Sequence, residues 1–462
     1  MRRTAREIKN KKRCSVMSSP LKPNDLDAHF MPFTAQKSFK KKPRMITGAK
    51  GMFYYTEDGR ECIDAAAGLW CVNAGHSHPK IVEAIRKQAG ELDYAANFSF
   101  GHPLAFRAAS LLCAQMPGDI DHVFFSNSGS ESVDTAIKIA LAYQRLRGKG
   151  TKVKIISRER GYHGVNICGV SIGGISYNRK VFSASLMPNV DFLPHTHNLE
   201  QNAFSKGEPD WGAHLADVLE SIITLHDAEN VAAVIVEPVA GSTGVLVPPK
   251  GYLKKLRAIC DKYDVLLIFD EVITGWGRLG KATAAERFGI LPDIITSAKG
   301  INSGAVPMGA TFIRKGIYDT FLSQPGDYGA DFMHGYTYSG HPLACAAALA
   351  AQEVYKEEGL FENAQRLEKT WEDALHGLKG APHVIDVRNI GLMAAVELDP
   401  GTRNPPHEMS RAMELFDRMF FEHDMVMRFT GNVIALSPPL IINESQIGQI
   451  VDRLRKGLGD IR

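Results

Sequence analysis

Four short stretches of the 462-residue chain carry side chains that could do chemistry together. Lys299 follows the apolar run Ile294–Ala298 and precedes Gly300. A lysine at a strand end, set in a crevice, has its pKa lowered and serves as an amine nucleophile. Asp270 closes Val265–Phe269, the most apolar run in the chain. A carboxylate there is poorly solvated and needs a cationic or donor partner, which a protonated pyridine nitrogen would supply. Asn127-Ser128-Gly129-Ser130-Glu131 stands between a strand and an amphipathic helix. Backbone N–H groups and small hydroxyls at such a junction cradle an anion or a phosphate; plain helix capping by Ser128 or Ser130 is the alternative. Tyr162-His163, between Gly161 and Gly164, offers aromatic surface that could stack on a planar ligand. Each stretch alone has a bland reading as a cap, a salt bridge, a surface lysine or a packed loop. Together, a phosphate cradle, a stacking ring, a carboxylate for a ring nitrogen and a nucleophilic lysine describe pyridoxal 5′-phosphate chemistry.

The elements that must position these residues are legible as alternating segments. His122–Ser126, Val153–Ser157, Val231–Val236, Val265–Phe269 and Asp293–Ala298 read as strands. Apolar residues at 133, 136, 137, 140 and 141 have helical spacing, and Tyr252–Tyr263 reads as a second helix. Such alternation predicts an α/β fold, a large, mainly parallel sheet with helices on both faces. Ligands bind beyond the carboxyl ends of such strands. The residues just past them, Asn127–Ser130, Gly161–Gly164, Glu237-Pro238, Asp270-Glu271 and Lys299-Gly300, are therefore expected to converge. Residues 25–75 and 336–462 have shorter elements and are expected to form a smaller α+β domain from both chain ends, leaving 76–335 as the large domain. Gly-His-Pro-Leu-Ala occurs at 101–105 and 340–344, read as two helix starts with Pro in the first turn.

Composition narrows the class. Apolar residues make up 44% and charged residues 23%, ordinary globular usage. No apolar stretch approaches the roughly 18 residues of a spanning helix, so no membrane partner is expected. Seven cysteines without a CxxC pair suit a reducing compartment, read as the cytoplasm. Residues 1–16 hold seven Lys or Arg against one Glu, and the remaining chain carries 47 basic against 50 acidic residues. The basicity thus belongs to a tail; residues 1–24 are read as a disordered extension, and no nucleic-acid partner is expected. Lys37, Lys40, Lys41, Lys42 and Arg44 are read as a solvated basic surface. Gly275-Trp-Gly277-Arg-Leu-Gly280 matches G-x-G-x-x-G, but Ala282 stands where a phosphate loop needs Ser or Thr, so it is read as a turn-rich loop. The pairs His76/His78 and His195/His197 lack a completing set, and no metal is expected.

Leu267-Ile-Phe-Asp270-Glu271-Val-Ile-Thr-Gly-Trp-Gly-Arg278, with Lys299 29 residues after Asp270, resembles the signature of class III (ω-amino acid) aminotransferases of PLP fold type I. The resemblance covers nearly the whole chain and is strongest to β-alanine–pyruvate aminotransferases, through Asp27–Thr34, Gly68-Leu-Trp70, Phe100–Leu104, Ser126–Glu131, Arg160–Asn166, His334–Ser339 and Val426–Phe429. It implies that Lys299 forms the Schiff base, Asp270 pairs with the pyridine nitrogen and Tyr162 stacks on the ring. Ser128, Gly129, Ser130, His163, Glu237 and Val272 would join them around the cofactor. Thr337 would reach the phosphate across a subunit interface, in a homodimer or homotetramer with shared sites. Trp70 would line the substrate pocket, with Phe98 entering from the partner chain. Arg428 would bind the substrate carboxylate, and Glu237 would neutralise Arg428 when none is bound. Ala435, seven residues after Arg428, and the stretch after Lys299 depart from the family pattern at positions that bear on substrate choice. The implied reaction moves an amino group from an amine donor, β-alanine, to a keto acid acceptor, pyruvate, by ping-pong kinetics. The alternatives are an aminomutase, a decarboxylating transaminase, or a transaminase for 4-aminobutyrate, polyamines or aryl amines.

Overall fold

The computed structural model describes residues 26–323, 329–403 and 408–462, so the expectation for residues 1–24 lies outside the described residues. Three antiparallel strands come first: β1 (Ile46–Lys50), β2 (Phe53–Thr56) and β3 (Glu61–Asp64). Seven strands then build the central sheet: β4 (Ile120–Ser126), β5 (Lys154–Arg158), β6 (Val190–Leu193), β7 (Val231–Val236), β8 (Leu266–Asp270), β9 (Ile294–Ser297) and β10 (Gly309–Arg314). Their spatial order is β4-β10-β9-β8-β7-β5-β6. All run the same way except β10, which is antiparallel to both β9 and β4. Every residue of β7 and β8 is buried, as expected of strands covered by helices on both faces.

β11 (Val384–Ile390), β12 (Met393–Leu398), β14 (Arg428–Thr430) and β15 (Val433–Leu436) form a third, antiparallel sheet, while β13 (Met425–Val426) pairs in parallel with β3. The first sheet thus draws on both chain ends.

The helix Gly129–Leu146 buries Val133, Ala136, Ile137 and Ala140, the face that the spacing predicts. Both Gly-His-Pro-Leu-Ala copies open helices, Pro103–Cys113 and Pro342–Glu357, with Pro in the first turn. The copies also meet, since His102 Nε2 lies 2.7 Å from the Gly340 carbonyl. The glycine-rich loop at 275–280 is packed: Trp276 Nε1 donates to Ser297 Oγ at 2.7 Å, and the fully buried Arg278 donates to Asn73 Oδ1 at 2.6 Å. His76 and His78 pair separately with Asp64 and Glu358. Among the described residues no helix is long and apolar enough to cross a membrane.

Candidate active site

A cavity of about 590 Å³ opens beyond the carboxyl ends of β5, β7, β8 and β9. Of the strand-end residues expected to converge, Gly129, Ser130, Tyr162, His163, Gly164, Glu237, Asp270 and Lys299 line it, and Val272 joins them. Lys299 leaves β9 with φ +48°, a left-handed conformation rare outside glycine. Such strain persists where packing over-determines it, often at functional sites. Burial lowers the pKa of the Lys299 amine, while nearby Cys71, Asp270 and Glu237 act the other way.

Asp270 ends β8, and its carboxylate is held from three sides. Oδ2 pairs with His163 Nδ1 at 2.7 Å; Oδ1 accepts the Thr296 hydroxyl at 3.1 Å and the Val272 N–H at 3.2 Å. Thr296 is the β9 residue in register with Asp270. Motif spacing gave no signal for it; only strand pairing identifies it.

The helix Gly129–Leu146 begins at the cavity, where the first N–H groups of a helix have no partner within the helix itself. Ser130 Oγ accepts the Val165 N–H at 3.1 Å, tying this turn to the Tyr162 loop. Gly164 has φ +101°, and a Cβ there would stand 2.6 Å from Ser130 Oγ, so this close approach needs glycine. A Cβ on Gly129 would stand 2.8 Å from Val272 Cγ1. The Tyr162 N–H donates to Glu237 Oε1 at 2.9 Å, and the Gly241 N–H donates to Oε2 at 3.0 Å. Burial pushes the Glu237 carboxyl up.

Residues 34–458 match the family model Aminotransferase class-III. The chain belongs to the class III aminotransferases. It is 58% identical to an omega-aminotransferase of Caulobacter vibrioides, over 95% of this chain and 98% of that one. It is 46% identical to a beta-alanine–pyruvate aminotransferase of Pseudomonas aeruginosa, over 95% and 96% respectively. The solved omega transaminase of Pseudomonas jessenii in complex with PMP superposes with a TM-score of 0.88 at 34% identity, covering 96% of this chain and 98% of that one.

The cofactor of this aminotransferase is pyridoxal 5′-phosphate, and the residues present fit it. A buried carboxylate for a ring nitrogen, a helix N-terminus for a phosphate and a side-chain-free Gly129 face one cavity with Lys299. Trp70 lines the same cavity, buried in the apolar cluster that also holds Val245, Ile273 and Ala435. Arg428 opens β14 and stands opposite Ala435 across the β14–β15 pair, both lining the cavity. The Arg428 side chain is exposed, yet desolvation by the surrounding wall lowers its pKa, and among the described residues no carboxylate or other acceptor pairs with it.

Four expectations differ from what the structure shows. Ser128 does not line the cavity; its hydroxyl caps the helix by accepting the Glu131 N–H at 3.2 Å. Glu237 is not paired with Arg428 in this structure: the Tyr162 and Gly241 N–H groups donate to its two oxygens, and among the described residues no ion pair joins it to Arg428. Phe98 and Thr337 lie outside this chain's cavity, in a region where Phe98 and Tyr338 are exposed. Arg44 also departs from the solvated reading. It stands at the cavity mouth, paired with Asp417 at 2.7 Å and stacked 4.9 Å over the Phe416 ring. The partner of Arg44 lies 373 residues away, so local sequence gave no hint of it.

Proposed function

We propose that this aminotransferase transfers the amino group of an ω-amino acid, with β-alanine as donor, to pyruvate. The observation that carries this reading is Arg428, a guanidinium in the cavity wall without an acidic partner among the described residues. An unpaired cation in a walled site favours a carboxylate, and the planar fork suits bidentate binding. The names of the Caulobacter vibrioides and Pseudomonas aeruginosa relatives support the same substrate class. β-Alanine and pyruvate hold their carboxylates at different distances from the reacting carbon. Arg428 must therefore move or bind through water, and the small Ala435 opposite it leaves room.

In this reading Gly129 and Ser130 hold the phosphate at the helix N-terminus, and the Ser128 cap keeps that turn in shape. Tyr162 and Val272, both lining the cavity, would hold the ring between them. Asp270, oriented by His163 and Thr296, keeps the ring nitrogen protonated. The cofactor, when bound, supplies an electron sink for the C–H bond that breaks. The Lys299 nitrogen would hold the cofactor and, once free, would take and return the proton of the C–H bond that breaks. Trp70 bounds the substrate side. Thr337 of the partner subunit completes the phosphate site and Phe98 of the partner subunit the pocket. This reading is supported by both residues lying outside their own chain's cavity, beside the exposed side chains of Met333 and Tyr338.

The test is the visible spectrum of the protein loaded with pyridoxal phosphate, before and after β-alanine and then pyruvate. The expected result is a band that bleaches with β-alanine and returns with pyruvate. A band that β-alanine leaves unchanged refutes the donor, and no band at all refutes the role of Lys299.

A further inference from the structure

After Glu237 the chain makes a tight turn whose Gly241 and Ser242 line the cavity. The N–H groups of Gly244 and Val245 close it on the Gly241 carbonyl at 3.0 and 3.2 Å. One N–H of the turn, that of Gly241, holds the Glu237 carboxylate. Three successive carbonyls of the turn are held by arginines from elsewhere in the chain. Arg160 Nη2 donates to Thr243 O at 3.2 Å, and Arg388 Nε donates to Gly244 O at 2.9 Å and Val245 O at 3.2 Å.

The turn needs holding. Val245 is fully buried at φ +52°, a left-handed conformation that a β-branched side chain resists. Strain of this kind costs on the order of 1–3 kcal/mol and survives only where the surroundings enforce it. Arg388 grips the carbonyl of this strained residue. It is itself fixed from behind: on β11, 6% exposed, its Nη1 donates to Asp386 and, at 2.6 Å, to Glu397 on β12. Glu397 in turn pairs with His197 at 3.2 Å.

We propose that Arg388 is a positioning residue for amino transfer: by holding the Gly244 and Val245 carbonyls it keeps the Gly241 N–H on the Glu237 carboxyl group, and so fixes the acidic group that shares the cavity with Lys299. The proposal rests on the role given to Lys299 above. The titratable and charged groups acting on the Lys299 amine are Cys71, Asp270, Glu237 and Arg278. Of these, Glu237 is the one whose hydrogen bonding runs through the strained turn. A released turn would take away one donor from the Glu237 carboxyl group, disfavour its charged form further and weaken its hold on a proton at Lys299.

The experiment is a pH titration of the visible band of the pyridoxal phosphate-loaded protein, which reports the proton on the Lys299 nitrogen. Arg388→Lys is the deciding variant, because it keeps a charge for Asp386 and Glu397 but lacks the separate Nε–H that the Gly244 and Val245 carbonyls share. Arg388→Gln accompanies it. The expected result is a midpoint lowered by about half a pH unit or more. Glu237→Gln should shift it the same way, and the double variant no further than Glu237→Gln alone, because the two residues act in series. A midpoint equal to that of the unsubstituted protein, or shifts that add in the double variant, overturns the proposal. Thermolysin cleavage of the cofactor-free protein within residues 239–247 gives a second readout, expected to quicken in Arg388→Lys; unchanged cleavage also overturns it. Loss of the band in the unsubstituted protein would instead strike the reading of Lys299, and the cleavage result would still decide on Arg388.

Discussion

Glu397 offers a measurable test of how much the ionic cluster behind the cavity contributes to stability. Burial pushes its carboxyl up, but the His197 ring nitrogen 3.2 Å away and the Arg388 guanidinium outweigh that and bring it from 4.5 down to about 2. A depressed carboxylate stabilises the fold above its unfolded pKa, and that stabilisation fades as pH falls through the folded value. Here the window runs from about 4.5 down to about 2. A difference of about 2.5 pKa units corresponds to about 3 kcal/mol at neutral pH. By the same linkage about 2 kcal/mol should remain at pH 3.5. Glu397→Gln should therefore destabilise the protein by about 3 kcal/mol at pH 7.5. For 462 residues, unfolding entropy of about 2 cal/mol/K per residue makes that a fall in Tm of about 3 °C. Denaturant unfolding of both proteins between pH 7.5 and 3.5 measures the difference directly. The side chain is 15% exposed, so added salt should change the result little. Equal stability at pH 7.5 would refute the reasoning, as would a gap that fails to narrow on acidification.

Arg428→Ala should raise KM for both β-alanine and pyruvate by about 10- to 100-fold, the loss of a charge-assisted contact, while an arylalkyl amine without a carboxylate keeps its KM; steady-state kinetics with the two donor types checks this. Gly129→Ala places a methyl 2.8 Å from Val272 Cγ1 at the phosphate turn, and overpacking of about 1–3 kcal/mol should weaken cofactor affinity by about 5- to 150-fold, as read by equilibrium titration with pyridoxal phosphate. In mixed dimers of Lys299→Ala and Thr337→Ala chains, one of the two sites carries both defects and the other neither. Activity should therefore exceed that of either parent, and a mixture no better than its parents would refute the shared site.

Much of the chemistry was legible in residue types and local spacing. Asp270 and Lys299 stand out because each ends an apolar run, and an apolar run records burial on both faces of a strand. The helix that begins at Gly129 is legible because its buried face repeats with helical period. β10 is a different case: its reversed direction follows from lying between β9 and β4, which no local pattern encodes. Ser128 looked like a phosphate ligand because capping residues and phosphate-binding residues are the same small hydroxyls; only its bond to Glu131 separates the two roles.

The sequence by itself determined which groups could react, the alternation that builds the sheet and the strand ends at which they gather. These are local properties, since burial and period are written in neighbouring side chains. The tertiary structure decided which charge meets which. His163 reaches Asp270 across 107 residues, and Arg388 reaches the Gly244 carbonyl across 144. Arg428 comes to the cavity on a strand from the far end of the chain and remains unpaired there among the described residues. An arginine has the same formula on a surface and in a cavity wall. Its partner is set by long-range packing, and with it the work the residue does.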